Sequence, residues 1–158
     1  IFNNIKQLKK FYLIIKLHHS DRLTNLPADI AKEMKFKGYS LIQNFDLHSL
    51  INASDMIITS WSTVGYEAML LKKPVIVIDF TKDRRSDSGD YVRYNAAIGV
   101  YKKSNLYGVI NKISYNHDFK NKLIKNSQLF LKKSLYKLDG KSSYRISKAI
   151  DSILKKKL

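Results

Sequence analysis

Between Ser54 and Phe80 the apolar positions change period twice. Met56, Ile57, Ile58 and Thr59 form a continuous apolar and β-branched run, the pattern of a strand covered on both faces. Ser60, Trp61, Ser62 and Thr63 interrupt it with hydroxyls, and Gly65 follows shortly. From Val64 the spacing lengthens to Ala68 and Leu71, which predicts a helix. Lys72 and Lys73 suit the end of that helix, and Pro74 forbids its continuation. Val75 to Ile78 is again a doubly covered strand. The unit is strand, helix, strand, and its crossover is expected to be right-handed.

The same alternation of periods runs in both directions. Ile1, Ile5 and Leu8, with Lys6, Lys9 and Lys10 between them, predict a short amphipathic helix, and Phe11 to Leu17 a buried strand ending in His18, His19, Ser20 and Asp21. A helix is expected over Asn25–Lys35, with Pro27 in its first turn, then a strand over Tyr39–Gln43. Asp46 is a natural N-cap for a two-turn helix presenting Leu47, Leu50 and Ile51. Residues 79–95 read as one long irregular stretch, and Ala96–Tyr101 as a last strand. Helices follow over residues 105–115, with Leu106, Val109, Ile110 and Ile113 inward, and from Asp118 until Asp139-Gly140 breaks the second. A final helix, Ser142–Leu154, sets Ile146, Ala149, Ile150, Ile153 and Leu154 on one face. Strands alternating with helices predict an α/β fold, a Rossmann-like three-layer α/β/α arrangement with a mostly parallel sheet. Residues 1–140 would form that domain. Residues 141–158 would be an amphipathic helix packing on it or crossing to a second domain.

This organisation locates the candidate chemistry. In open parallel sheets ligands bind outside the carboxyl ends of the strands. Ser60, Ser62 and Thr63 stand at that mouth, where hydroxyls and amides converge on a place for phosphate. Glu67 lies about one turn further on, within reach of vicinal hydroxyls of a ribose or sugar. The plainer account is that Ser62 or Thr63 caps the helix and Glu67 complements its dipole. His18 and His19 sit at the same edge, as do Asn44 and Phe45, whereas His48 reads as an exposed helix residue. In the stretch after Ile78, Arg84 and Arg85 have the geometry to clamp a diphosphate, and Asp83, Asp87 and Asp90 to bind sugar hydroxyls. Their spacing matches no calcium loop, and no bound metal is expected.

Length and charge narrow the classes. At 158 residues the chain is about one domain, long enough for a three-layer core. It begins with Ile1, and its first element reads as a helix where a parallel sheet would open with a strand, so a preceding N-terminal part is expected. With no cysteine there is no disulfide framework and no thiolate metal site. No apolar run approaches the roughly 18 residues that span a bilayer, and a cytoplasmic protein is expected. The net charge of +16 is unevenly placed: residues 1–100 carry 14 basic and 10 acidic side chains, residues 101–158 carry 15 and 3. The excess is lysine, 24 against 5 arginines, whereas bidentate readout of nucleic acid favours arginine. A solvated surface explains it, and so does a face that meets a polyanionic acceptor or an anionic membrane surface at the inner leaflet.

The segment ASDMIITSWSTVGYEAMLLKKPVIVID resembles the nucleotide-sugar-binding half of glycosyltransferases of the GT-B fold. Their relatives include UDP-N-acetylglucosamine 2-epimerases and CDP-glycerol glycerophosphotransferases of wall polymer synthesis. The resemblance covers roughly residues 12–100. It implies that Ser62 and Thr63 match a phosphate turn, Glu67 a ribose-binding acid, and His18 the histidine of a KLHP segment closing on the donor diphosphate, with His19 in place of the proline. It also implies that Asn44 and Phe45 lie near the base. The glycerophosphotransferases favour Asp where this chain has Ser60, and usually Asp where it has Glu67. Those departures point toward a sugar donor.

The resulting expectation is the donor-binding half of a glycosyltransferase that builds a surface polysaccharide. The partners would be a nucleotide-sugar donor and a glycan or lipid-linked acceptor, with no cofactor besides the donor itself. The catalytic base would come from the other half of such an enzyme, since no residue of this chain stands out as one. The alternatives are a 2-epimerase-like enzyme, a CDP-glycerol-type polymer phosphotransferase, and a non-catalytic basic module for membrane or polyanion.

Overall fold

The computed structural model describes residues 11–18, 20, 26–33, 37–60, 62–81 and 89–155. Strands and helices alternate along the first hundred residues: β1 (Leu13–Lys16), α1 (Leu26–Glu33), β2 (Tyr39–Ile42), α2 (Leu47–Ala53), β3 (Ile57–Thr59), α3 (Val64–Leu70), β4 (Val75–Ile78), α4 (Gly89–Arg93) and β5 (Ile98–Val100). A 3₁₀ turn (Lys103–Asn105) leads into α5 (Leu106–Tyr115), α6 (His117–Ser134) and α7 (Ser142–Lys155). Among the described residues every strand pairing is parallel, because a helix crosses back between the paired strands. β1 pairs with β2, Leu13 opposite Tyr39. A second sheet runs β3–β4–β5, with Ile57 opposite Val75 and Ile76 opposite Ile98. The α/β class and layered parallel architecture expected from the sequence are therefore present.

The middle strand, β4, separates the two faces. Its side chains alternate, so Val75 and Val77 enter one apolar cluster and Ile76 the other. The first cluster joins them to Ile51 of α2, Ala68 and Met69 of α3, Tyr91 of α4, and Phe130 and Leu131 of α6. The second joins Ile76 to Val100 of β5, Leu106, Ile110 and Ile113 of α5, and Leu123 of α6. Phe11 and Leu13 pack on the second cluster beside Met56 and Ile58, so the two small sheets share one core. Each fully buried side chain of this size stabilises the fold by about 1.5–3 kcal/mol. An all-apolar β4 is what a strand with helices on both sides requires.

Two elements differ from expectation. The stretch 79–95 is not wholly irregular: Gly89–Arg93 is helical and buries Tyr91 to 3% exposure. The Tyr91 ring meets Tyr66 edge-on at 5.3 Å and Phe130 at 6.1 Å, contacts that depend on distant segments and leave no helical period in the sequence. The long helix ends at Ser134, before Asp139-Gly140, with the Leu135 amide closing on the Leu131 carbonyl at 2.9 Å. Gly140, at φ +68°, belongs to a separate turn that Asp139 ties to Lys141 and Arg145. The amphipathic helix expected over Ser142–Leu154 is present as α7, and its apolar face is open, with Ile146, Ile150 and Ile153 61%, 52% and 58% exposed. The N-terminal helix expected over residues 1–10 lies outside the described residues.

Candidate functional site

Parallel pairing brings the carboxyl ends of neighbouring strands to one edge, and the candidate residues follow those ends. After β1, His18 Nδ1 faces the Ser20 hydroxyl at 2.7 Å and accepts the Ser20 amide at 3.3 Å. An amide donor on Nδ1 leaves the ring proton on Nε2. The Gln43 side chain donates to the His18 carbonyl at 3.0 Å, tying the exit of β1 to that of β2. After β2 come Asn44 and Phe45, both exposed, Phe45 at 58%. Asp46 then caps α2 as expected, its carboxylate accepting the Ser49 amide at 2.6 Å. The Ser49 amide and hydroxyl, with His48 adding, hold Asp46 below the usual carboxylate range.

After β3 the hydroxyls divide their roles. Ser60 is exposed. Ser62 turns inward: its Oγ accepts the Val64 amide at 3.2 Å, and its carbonyl accepts the Tyr91 hydroxyl at 3.5 Å. Burial, with Tyr66 adding to it, pushes the Tyr91 phenol above its usual range. Thr63 occupies the N-cap position of α3 without a side-chain capping bond and is exposed. A Cβ at Gly65 would stand 3.1 Å from the Tyr91 hydroxyl, so a larger residue there would push that ring back by a few tenths of an ångström. The capping account of the turn thus applies to Ser62, while Ser60 and Thr63 keep their hydroxyls on the surface.

Glu67 lies in the first turn of α3 and is met by an imidazole, that of His48: Nε2 stands 3.0 Å from Glu67 Oε2. The pair is half-open, with His48 67% and Glu67 29% exposed at the side chain. It joins the first turns of α2 and α3, which leave the carboxyl ends of β2 and β3. The expected trio of Ser62, His18 and Glu67 is not linked by hydrogen bonds among the described residues. His48 was assigned only an exposed place on its helix, which it has, and its partnership with Glu67 left no sequence signal because the two residues come from different helices.

Asp79 is a residue that sequence reasoning passed over. It is 5% exposed at the carboxyl end of β4, and its Oδ1 accepts the Thr81 amide at 3.0 Å and the Thr81 hydroxyl at 2.6 Å. The signal was its position, directly after the apolar run Val75–Ile78. Arg84, Arg85, Asp83 and Asp87 lie outside the described residues, as does His19, and Asp90 falls within α4. No cluster of potential metal ligands occurs among the described residues. An open groove of about 590 Å³ lies at the other end of α3, lined by Leu70, Leu135, Tyr136, Leu138, Arg145 and Ile146.

Residues 3–152 match the family model described as CDP-glycerol:poly(glycerophosphate) glycerophosphotransferase. The chain belongs to this family. Membership in the glycerophosphotransferase family makes it a member of a transferase family, and the match takes in β1 to β5 and nearly all of α7. Ser60 and Glu67, which from sequence point away from this family toward a sugar donor, do not set the chain outside it. Comparison with curated proteins returns no match, and comparison with solved structures returns none. Among the described residues no helix is long and apolar enough to cross a membrane.

Proposed function

We propose that the chain binds the nucleoside diphosphate part of an activated donor at the carboxyl edge of β1–β3 and serves transfer of the donor's group to a polymer. The observation that carries this reading is the family match over residues 3–152, whose name pairs CDP-glycerol with a glycerophosphate polymer. In that reaction an acceptor hydroxyl attacks the glycerol-bearing phosphorus. A phosphodiester forms, the P–O bond to the bridging oxygen breaks, and CMP leaves with the electron pair. The acceptor proton passes to a base outside the residues named here. Here Glu67 accepts from ribose hydroxyls, and the Ser60 and Thr63 hydroxyls and the His18 Nε2–H face the phosphates. Phe45 offers an exposed ring for the base and Asn44 beside it an amide, and Arg84 and Arg85, which lie outside the described residues, are assigned to the diphosphate by their chemistry alone.

A sugar donor is the second reading, favoured by Glu67 and Ser60 at places where the glycerophosphotransferases favour Asp. There the bond from the anomeric carbon to phosphate breaks and the nucleoside diphosphate leaves. Thermal unfolding with CDP-glycerol, CDP and UDP-N-acetylglucosamine separates the two. We expect CDP-glycerol and CDP to raise the melting temperature, and Glu67→Ala to remove most of the shift. A shift with the UDP-sugar alone replaces the first reading by the second, and conversion of that sugar without acceptor replaces both by epimerisation. No shift with any of the three sinks the nucleotide reading.

The lysine excess of residues 101–158 supports a polyanionic acceptor approaching from that side. Binding of poly(glycerophosphate) should then weaken steeply between low and physiological salt, as measured by titration. A salt-independent affinity removes this part of the reading, and binding to anionic vesicles but not to polymer transfers it to a membrane surface.

A further inference from the structure

An ion pair at the rim joins two residues that the donor reading treats differently: Glu67 is in it and His48 is not. A Glu side chain reaching outward from a helix has three rotatable bonds, and ordering it costs conformational free energy. In this structure part of that cost is met before any ligand arrives, because His48 Nε2 stands 3.0 Å from Oε2 in an ion-pair contact. The second oxygen, Oε1, takes no hydrogen-bond partner among the described residues, and the Glu67 side chain retains 29% exposure. His48 is held in turn by its place in the first turn of α2, which Asp46 caps through the Ser49 amide. Among the described residues the charged groups facing its imidazole are two carboxylates, Glu67 across the gap and Asp46 on its own element. As a stability device an exposed pair of this kind contributes little. Its consequence is orientation: one carboxylate oxygen faces the imidazole and the other stays available to an incoming hydroxyl.

We propose that His48 is a positioning residue for donor recognition, holding the Glu67 carboxylate so that Oε1 accepts a hydrogen bond from a ribose hydroxyl of the donor nucleotide. This rests on the reading of Glu67 as the ribose-binding acid. It assigns to α2 a part in selecting ribonucleotides, through a histidine that does not itself touch the base or the phosphates.

The test compares CDP with its 2′,3′-dideoxy analogue by calorimetric titration of the full chain, using wild type, His48→Ala and His48→Gln. A hydrogen bond to a charged acceptor is worth about tenfold or more in affinity, so wild type should prefer CDP by at least that ratio. His48→Ala should cut the preference to below about threefold while binding the dideoxy analogue as wild type does. His48→Gln, whose amide N–H occupies nearly the place of Nε2–H, should restore it. Unchanged unfolding curves in both variants would exclude a general loss of structure, which would weaken both ligands alike. The proposal is overturned if His48→Ala keeps the full preference, or if both ligands weaken equally. Loss of CDP binding by wild type itself would instead remove the donor reading. Equal binding of the two ligands by wild type would remove the ribose role of Glu67, and with it that of His48.

Discussion

At the residue scale, conformations that the chain adopts against its own preference are the most informative. Lys72 closes α3 at φ +56°, in the left-handed region, with its amide on the Met69 carbonyl at 3.0 Å and the Lys73 amide on the Ala68 carbonyl at 2.9 Å. That is a Schellman-type ending, which glycine normally supplies. A side chain in this region costs on the order of 1 kcal/mol, so Lys72→Gly should raise the melting temperature slightly. A lower melting temperature would mean that the Lys72 side chain makes a compensating contact. The lysine pair and Pro74 had announced a helix end from sequence, while the handedness of the ending depended on how tightly β4 follows. Gly65 shows the converse. Its position after the hydroxyl turn was visible, but its close neighbour, the Tyr91 hydroxyl beneath it, comes from residues far along the chain.

At the element scale, caps and periods were legible and chain-distant partners were not. Asp46 was read as an N-cap and is one. The Ser49 hydrogen bond lowers its pKa in the folded state, so the carboxylate stabilises α2 at all pH values above the ordinary aspartate range. That contribution disappears as pH falls through the depressed folded value. The Ser49 amide should therefore exchange faster with solvent as pH drops through that acid window, after correction for intrinsic exchange, and Asp46→Asn should flatten the dependence. An unaltered profile in the variant would show that the cap does not carry it. By contrast, α4 went unread because five residues, Gly89–Arg93, are too few to show a helical period, and it is the burial of Tyr91 that holds them. The amphipathic pattern of α7 was read correctly as a helix, and its exposure shows that periodicity reports a face without naming what covers it.

At the scale of the whole molecule, the buried core and the exposed face of the C-terminal helix call for different responses to substitution. Ile110 is 2% exposed within the second cluster, so Ile110→Ala should destabilise the fold by about 3 kcal/mol through lost burial and a cavity. Ile150 is half exposed on α7, and Ile150→Ser should change stability by less than about 0.5 kcal/mol. Chemical denaturation of the two variants measures both, and a comparable loss from Ile150→Ser would show that α7 is packed in solution. The family assignment also belongs to this scale, since it spans β1 to α7 rather than a single motif.

The pattern of periods, the charged and hydroxylic strand ends, and the doubly apolar β4 were decided within the chain itself. They depend on neighbours a few residues apart, and so the parallel α/β class and the edge that carries the candidate residues could be read directly. Which side chains meet across that edge was decided by the tertiary fold. Glu67 finds His48, Ser62 turns to its own helix and Tyr91, and Asp79 is sealed beneath the rim. Such pairings arise only when crossover helices bring separate strand ends to one edge, and no local spacing encodes that approach.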